Sequence, residues 1–530
     1  MKILLQNRIA SGLTGAVLLL FQFLLSAQTL PPRYNLTPIG HLSYGTTSLA
    51  GCTHYVDIYG EEWALVGTSA GLSIVDISDP EKPVERFTVP GLPSNWREVR
   101  TWQRYAYVGS EAENSGITIV DLRYLPNAIT SKVWYGDGSY TDMLRRSHTL
   151  QTKDGYLYVF GGGNITDGCT IARLTDPWNP VIVGTYTDNY VHDGFIRNDT
   201  LWTSEIYSGW FGVLDISDKS NPVLLATQPT PGAFNHNSEL SPDGKTLFTT
   251  DEKSSTPLGA FDVSDLENIR LIDTYFPGRI PSGEVHNVRV KGNFLVNPSY
   301  KGQLTIVDAT RPDNLIETAW DSLGTSLVWD ADPYLPSGLI IATAKSEGLY
   351  VYRPEYKQAA WLEGVVREDV TEIPVSNAAI SIVGTANNDQ SDLQGVYKTG
   401  SADGGAYNVL VKRDGYIPAF IPDVKLVPGE VTRLDVYLTS FANIDVKNYI
   451  NISPSPFSSF LQVKLGPESV FVNDGTVLKL IDEKGSLVYE NKLTGNPAVV
   501  QNVGHLPSGI YFLILQNGNV ASRMMKVVKN

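Results

Sequence analysis

Five of the chain's seven histidines recur at a regular interval. His148, His192 and His236 are 44 residues apart, His286 follows after 50, and His54 stands two intervals before His148. Imidazole both ligates transition metals and exchanges protons near neutral pH, so a periodic set of them invites a chemical reading. Where the interval predicts further members, the chain has Trp96-Arg97 and Trp329-Asp330 instead. Carboxylates recur further along the units: Glu111, Glu205, and Asp251 with Glu252. Imidazole with carboxylate suits zinc, iron, manganese or nickel better than calcium, which prefers oxygen alone. The metal candidates are therefore His54, His148, His192, His236, His286, Glu111, Glu205, Asp251 and Glu252. Candidates for contact with a polar ligand are Trp96, Arg97, Asp193, Trp329 and Asp330. The residue after each histidine varies (Tyr55, Thr149, Asp193, Asn237, Asn287), which a specific site requires and neutral drift also produces.

The elements that position these residues follow the same interval. A phrase, GLSIVDISDPEKPVERF from Gly71, returns from Gly116, Cys169, Phe211, Leu258 and Gln303, with a worn copy at Gly348. Each copy reads as an apolar strand, a polar turn and a second apolar strand. A complete unit runs HTLQT from His148, the turn Asp154-Gly155, YLYVFG, CTIARL, the turn DPWNP, and PVIVGTY. That is a four-stranded antiparallel meander, with matching turns at Asn198-Asp199, Asp243-Gly244 and Lys291-Gly292. One such sheet cannot bury both apolar faces alone. Seven units of this period predict a seven-bladed β-propeller. The seventh unit lacks a fourth strand, and LTPIGHLSYG from Leu36 matches the fourth-strand phrase. The N-terminal strand is thus expected to complete the last blade and pair its free edge. Each histidine then begins the innermost strand of its blade, and the acids end the second strand at the same mouth. The Asp of each IVD phrase (Asp76, Asp121, Asp215, Asp262, Asp308) meets a tight turn, where it is expected to hold turn amides.

Composition narrows the field. The 530-residue chain carries a formal charge of -15 and has no Lys/Arg cluster, which excludes a phosphate-backbone partner. Met1 to Ala27 has Lys2 and Arg8, an apolar core at Ala16–Leu25, then small residues, the layout of a signal peptide with cleavage near Ala27. No later stretch reads as a membrane span, so the mature chain is expected to be exported. Cys52 and Cys169 fall in non-neighbouring units and are expected as free buried thiols. Gly161-Gly162-Gly163-Asn164 follows a strand and opens no helix, so it is no phosphate loop.

Three resemblances complete the organisation. The repeat over about Leu30–Tyr356 resembles the LVIVD repeat of choice-of-anchor B proteins, which implies a secreted propeller and no agreed activity. Residues 360–439 resemble the carboxypeptidase regulatory-like domain through Gly364-Val365-Val366, Ala378–Ile382, Gly405–Val411 and Gly415-Tyr416, implying a non-catalytic β-sandwich. Residues 448–530 resemble the C-terminal sorting domain of the type IX secretion system of Gram-negative Bacteroidota. Pro454–Phe457, Asp482–Gly485, Leu506–Phe512 and the tail Lys526–Lys529 carry that likeness. The first motif departs from the usual Tyr-Pro-Asn-Pro with Ser453-Pro454-Ser455-Pro456. This implies the secretion machinery as a partner and an address in the medium or on the outer-membrane surface.

The expected layout is a signal peptide (1–27), a propeller (28–357), a β-sandwich (360–439) and a sorting domain (448–530), all-β throughout. Two functions fit. One is a non-enzymatic binding or scaffold module whose histidine-rich mouth takes a metal, polar ligand, glycan or protein. The other is a metal-dependent hydrolase or lyase with Glu205 or Glu252 as general base. A structural role competes with both, since WD-repeat propellers place a histidine nearby in a hydrogen-bond network within each blade.

Overall fold

The computed structural model describes residues 32–530 except 164, 278–282, 325, 386, 442–449, 467–470, 472–474, 495–497, 501–502, 518–519 and 523. The segment read as a signal peptide, the first residues of the expected propeller and Asn164 lie outside the described residues. The chain divides into two compact units, essentially the repeats up to Ala360 and the chain from Trp361 onward.

Among the described residues the repeats form seven antiparallel sheets. The innermost strands, blade by blade, are Leu49–Val56, Val99–Trp102, Thr149–Lys153, Asp193–Arg197, Asn235–Leu240, the interrupted pair Glu284–Val285 and Arg289–Lys291, and Val328–Asp332. Seven apolar clusters lie between neighbouring blades. Trp63 and Ile74 pack on Val99 and Ala106 between the first two, and Leu339 and Ile341 of the seventh pack on Cys52 and Val66 of the first. The seven blades therefore form a closed β-propeller, each sheet burying one face against each neighbour.

Closure joins the two ends of the repeat region, as expected. Leu36–Leu42 pairs antiparallel with Gly348–Pro354 as the fourth strand of the seventh blade. Leu36 is fully buried there. Just before it, Arg33–Tyr34 adds an outer strand to the sixth blade, so the N-terminal segment is stitched to two blades.

Turn chemistry accounts for the hairpins. Asn198 and Asp199 both have positive φ (49° and 57°), as do Asp154 and Gly155 (50° and 82°), the geometry that matches strand twist in two-residue loops. All five IVD aspartates accept the amide two residues on: Asp76 from Ser78, Asp121 from Arg123, Asp215 from Ser217, Asp262 from Ser264 and Asp308 from Thr310. Cys52 and Cys169 are free and buried.

In the other unit, Ala360–Glu368 lies between Val396–Ser401 and Val431–Arg433, and Ala379–Ile382 pairs with Gly405–Lys412 in a second sheet. Further on, Leu461–Leu465 and Val477–Asp482 belong to two more sheets that share a core of Phe457, Leu461, Val463, Leu480 and Leu513. Among the described residues no helix is long and apolar enough to cross a membrane.

Candidate functional site

A β-bulge aims the histidines at the axis. His148 and Thr149 both sit opposite Phe160, and His192 and Asp193 both sit opposite Ser204. His236 is the extra residue between the Asn235–Asp251 and Asn237–Thr250 pairs. The amides of His286 and Asn287 both point to the Pro298 carbonyl, and Trp329 is the extra residue of the seventh blade. An extra residue in one strand twists it and re-aims a side chain. Here the same device works in five consecutive blades.

The result is a row of rings. Centroids lie 3.9 Å apart for His148–His192, 4.2 Å for His192–His236, 4.2 Å for His236–His286 and 4.7 Å for His286–Trp329. Two of the rings are tied to the next blade through Nδ1, while His236 Nδ1 is buried without a hydrogen-bond partner. His192 Nδ1 lies 3.1 Å from the His236 carbonyl and His286 Nδ1 lies 2.6 Å from the Trp329 carbonyl. A carbonyl only accepts, so both Nδ1 atoms carry the proton and both Nε2 atoms keep their lone pair. Burial holds these rings neutral: His192 and His286 fall well below the ordinary imidazole value and His236 falls to about 3. His148 differs, since its Nδ1 bonds the Glu111 carboxylate. That bond holds Glu111 below the usual carboxylate range.

Beneath this row runs a second belt made by the variable residues. Asn237 donates to Asp193 at 2.7 Å, Asn287 donates to Asp330 at 3.2 Å, and Arg289 donates to Asp330 at 2.7 Å. The Thr149 hydroxyl bonds the His192 carbonyl. Asp193 and Asp330 are thus both hydrogen-bonded within the belt, and Asp193 also lines the central cavity. Above the row lies a rim contributed by the residue two beyond each bulge's partner on the second strand. Glu252, Tyr300 and Lys345 occupy that place in the fifth, sixth and seventh blades. Tyr300 donates to Glu252 at 2.8 Å and stacks on His286 at 4.5 Å. Burial raises the Glu252 pKa while the Tyr300 hydrogen bond opposes it.

His192, His236 and Glu252 come together, their ligand atoms all within 4.8 Å of one another. His192 and His236, though not Glu252, also line a cavity of about 20 Å³, whose other walls include Glu98, Asp193, Asn287 and Arg289. That is room for a single water or ion.

Several expected site residues stand elsewhere. His54 lies three residues further along its strand than the other histidines, because Leu49–Val56 is long and its hairpin loop is wide. It pairs with Asp332 at 2.9 Å, and the first blade offers Gly51 at the ring position, where the Glu98 carboxylate fills the space of a side chain. Glu205 and Asp251 precede the rim position by one residue, and alternate residues of a strand face opposite sides. Glu205 instead takes hydrogen bonds from Trp210, Thr203 and Tyr186, so it faces away from the row and is no general base for it. Asp251 holds Thr230 and the amides of Gly232 and Phe234. Arg97 is buried and clamps the Thr68 and Leu92 carbonyls. Trp96 is 42% exposed at the lip. Tyr300 and Lys345 escaped the sequence reading, though aligning second strands on Glu111 and Glu252 would have placed them.

Comparison with known families covers much of the chain. Residues 50–90 and 209–230 match the LVIVD repeat. The first blade and the outer half of the fourth are thus LVIVD repeats. The first match spans a whole blade and the second covers the third and fourth strands of the fourth, so the LVIVD phrase lies mainly on the outer half of a blade. Residues 362–439 match the carboxypeptidase regulatory-like domain and residues 451–530 the secretion system C-terminal sorting domain. The protein is therefore an exported, cell-surface or secreted LVIVD propeller with a type IX sorting domain at its C-terminus. No curated protein matches the chain.

Proposed function

We propose that the propeller is a binding module whose mouth holds one divalent transition-metal ion on His192, His236 and Glu252. The observation that carries this reading is the convergence of these three donors within 4.8 Å of one another, the two histidines also lining a cavity of about 20 Å³. Neutral imidazoles are the protonation state a metal requires, and two histidines with one carboxylate suit zinc, iron, manganese or nickel. Their separation is slightly wider than three donors make around an ion at about 2.1 Å, so binding draws the side chains inward by less than an ångström. Tyr300 orients Glu252 from outside, and His148 and His286 flank the ligands. The sorting domain supports engagement with the secretion machinery and delivery of this mouth to the cell exterior.

The test is elemental analysis of full-length protein purified without chelator, followed by zinc or manganese titration of chelator-treated protein. One ion per chain and a raised melting temperature are expected. Absence of both would sink the metal reading and leave the row as blade architecture.

A further inference from the structure

We infer that a second site, independent of the ion, lies on the lip of the mouth and takes a neutral pyranose sugar stacked on Trp96. A groove of about 380 Å³ opens there, lined by Ser69, Asn95, Trp96 and Glu111 with Pro93, Ser94 and Ala112. That volume is in the range of small-molecule sites. Trp96 is 42% exposed. The Ser94 hydroxyl accepts the Trp96 amide at 3.2 Å and donates to its carbonyl at 2.8 Å. The backbone that carries the indole is therefore ordered before any ligand arrives, which lowers the cost of binding.

The polar atoms of the groove name the ligand. One Glu111 oxygen bonds His148 Nδ1. The other oxygen and the side chains of Asn95 and Ser69 have no hydrogen-bond partner among the described residues. A carboxylate acceptor, an amide and a hydroxyl beside a flat apolar ring match the equatorial hydroxyls and the C–H face of a glucose-type sugar. Charge argues the same way. Glu111 is the single ionisable residue in the groove wall, so an anion is repelled. His148 and Arg146 already act on its charge, so an ammonium gains little. The Lys345 ammonium lies 5.6 Å from the Trp96 centroid but rests closer on Trp329, at 3.7 Å, and is not a groove wall. Further round the mouth, Tyr190 comes within reach of Glu111's charge and packs 4.9 Å from Tyr207, which is 75% exposed. That ring is a second platform, so a chain of several sugars gains over a single one.

The experiment is calorimetric titration of the chelator-treated full chain with methyl β-glucoside, cellotetraose, glucosamine, glucuronate and an uncharged serine–glycine peptide. Both neutral glucosides are expected to bind, cellotetraose more tightly, with glucosamine no tighter than methyl β-glucoside and glucuronate weaker. Trp96→Ala should weaken both glucosides by at least about tenfold, the scale of one stacking contact, and Trp96→Phe should restore most of the loss. Glu111→Gln and Asn95→Ala should each weaken both severalfold, which tests the groove wall without touching the indole. Tyr207→Ala should weaken cellotetraose alone. If neither glucoside binds, or Trp96→Ala binds them like the parent, the site is overturned. Glucosamine binding more tightly than methyl β-glucoside, glucuronate binding as tightly, or the peptide matching cellotetraose would overturn the neutral-sugar assignment. Equal cellotetraose affinity in Tyr207→Ala and the parent would overturn the second platform. Because the protein is titrated without metal, each result is separate from the outcome of the metal reading.

Discussion

The third to sixth blades and the seventh, first and second blades share one architecture and fill it differently. In the first group every bulge presents a histidine, and the rings stack at 3.9 to 4.2 Å. In the second group the same place holds Trp329, Gly51 and, near the second blade, Trp96 and Arg97, with Lys345 above. A histidine needed only to hold a blade together would be needed in all seven. The three blades without one close as well as the others, through equivalent apolar clusters. The histidine half is therefore a departure from the blade's requirements, and it brings His192, His236 and Glu252 together.

The largest perturbation removes the difference altogether. Deleting residues 32–44 strips the fourth strand from the seventh blade and uncovers buried faces beside Leu36. A loss on the order of 5 kcal/mol is expected, read as collapse of the cooperative melt; a parent-like melting temperature would refute closure by this strand. Next in size, His192→Ala with His236→Ala should abolish metal uptake and lower stability by about 2–4 kcal/mol through lost packing. Loss of stability with metal uptake intact would mean that the row is architectural in this half too.

A paired substitution sharpens the face assignment. Glu252→Gln should abolish stoichiometric metal, while Glu205→Gln, on the opposite side of its strand, should leave uptake unchanged. Tyr300→Phe keeps the stacking on His286 and removes the hydrogen bond to Glu252, so metal affinity should fall about tenfold, measured by competition with a chromogenic chelator.

The smallest effect is a slope. In metal-free protein His192, His236 and His286 have depressed folded pKa values, against about 6.5 unfolded. The unfolded chain then binds protons the folded one refuses, so stability is full above about pH 6.5 and falls as pH drops, by up to about 1.4 kcal/mol per unit for each histidine. Glu98 and Glu239, both pushed up to about 7 by burial, act in the opposite sense between about pH 4.5 and 7 and offset part of it. Glu205, Glu252, Glu284 and Asp389, also raised by burial, act in the same sense as those two, so the histidine contribution is read by difference. Between pH 7 and pH 5 the melting temperature of His236→Gln should fall less, or rise more, than that of the parent; an unchanged slope in that variant would contradict the neutral-ring assignment.

Much of the fold was legible because it rests on local pattern. Repeat spacing gave seven blades, residue types that tolerate positive φ marked the hairpins, and the likeness of Leu36–Gly45 to a fourth strand pointed to the closing pair. The site was legible only as a pool of candidates. His192, His236 and Glu252 were in it, but so were His54, Glu205 and Asp251, which the structure sends elsewhere. Tyr300 and Lys345 carried no repeated letter to draw the eye.

The amino-acid order by itself determined the blade, the number of blades, the turn aspartates and the export signal at the C-terminus, because each is written within one unit or one terminal module. Which donors share a cavity was decided only by tertiary structure. Strand side chains change face at every residue, so a shift of one position separates Glu205 from the rim. A longer first strand and wider loop move His54 out of the ring, and a bulge turns its counterparts in. Those offsets are set by how neighbouring strands and blades pair around the axis, and no single unit of the sequence contains that pairing.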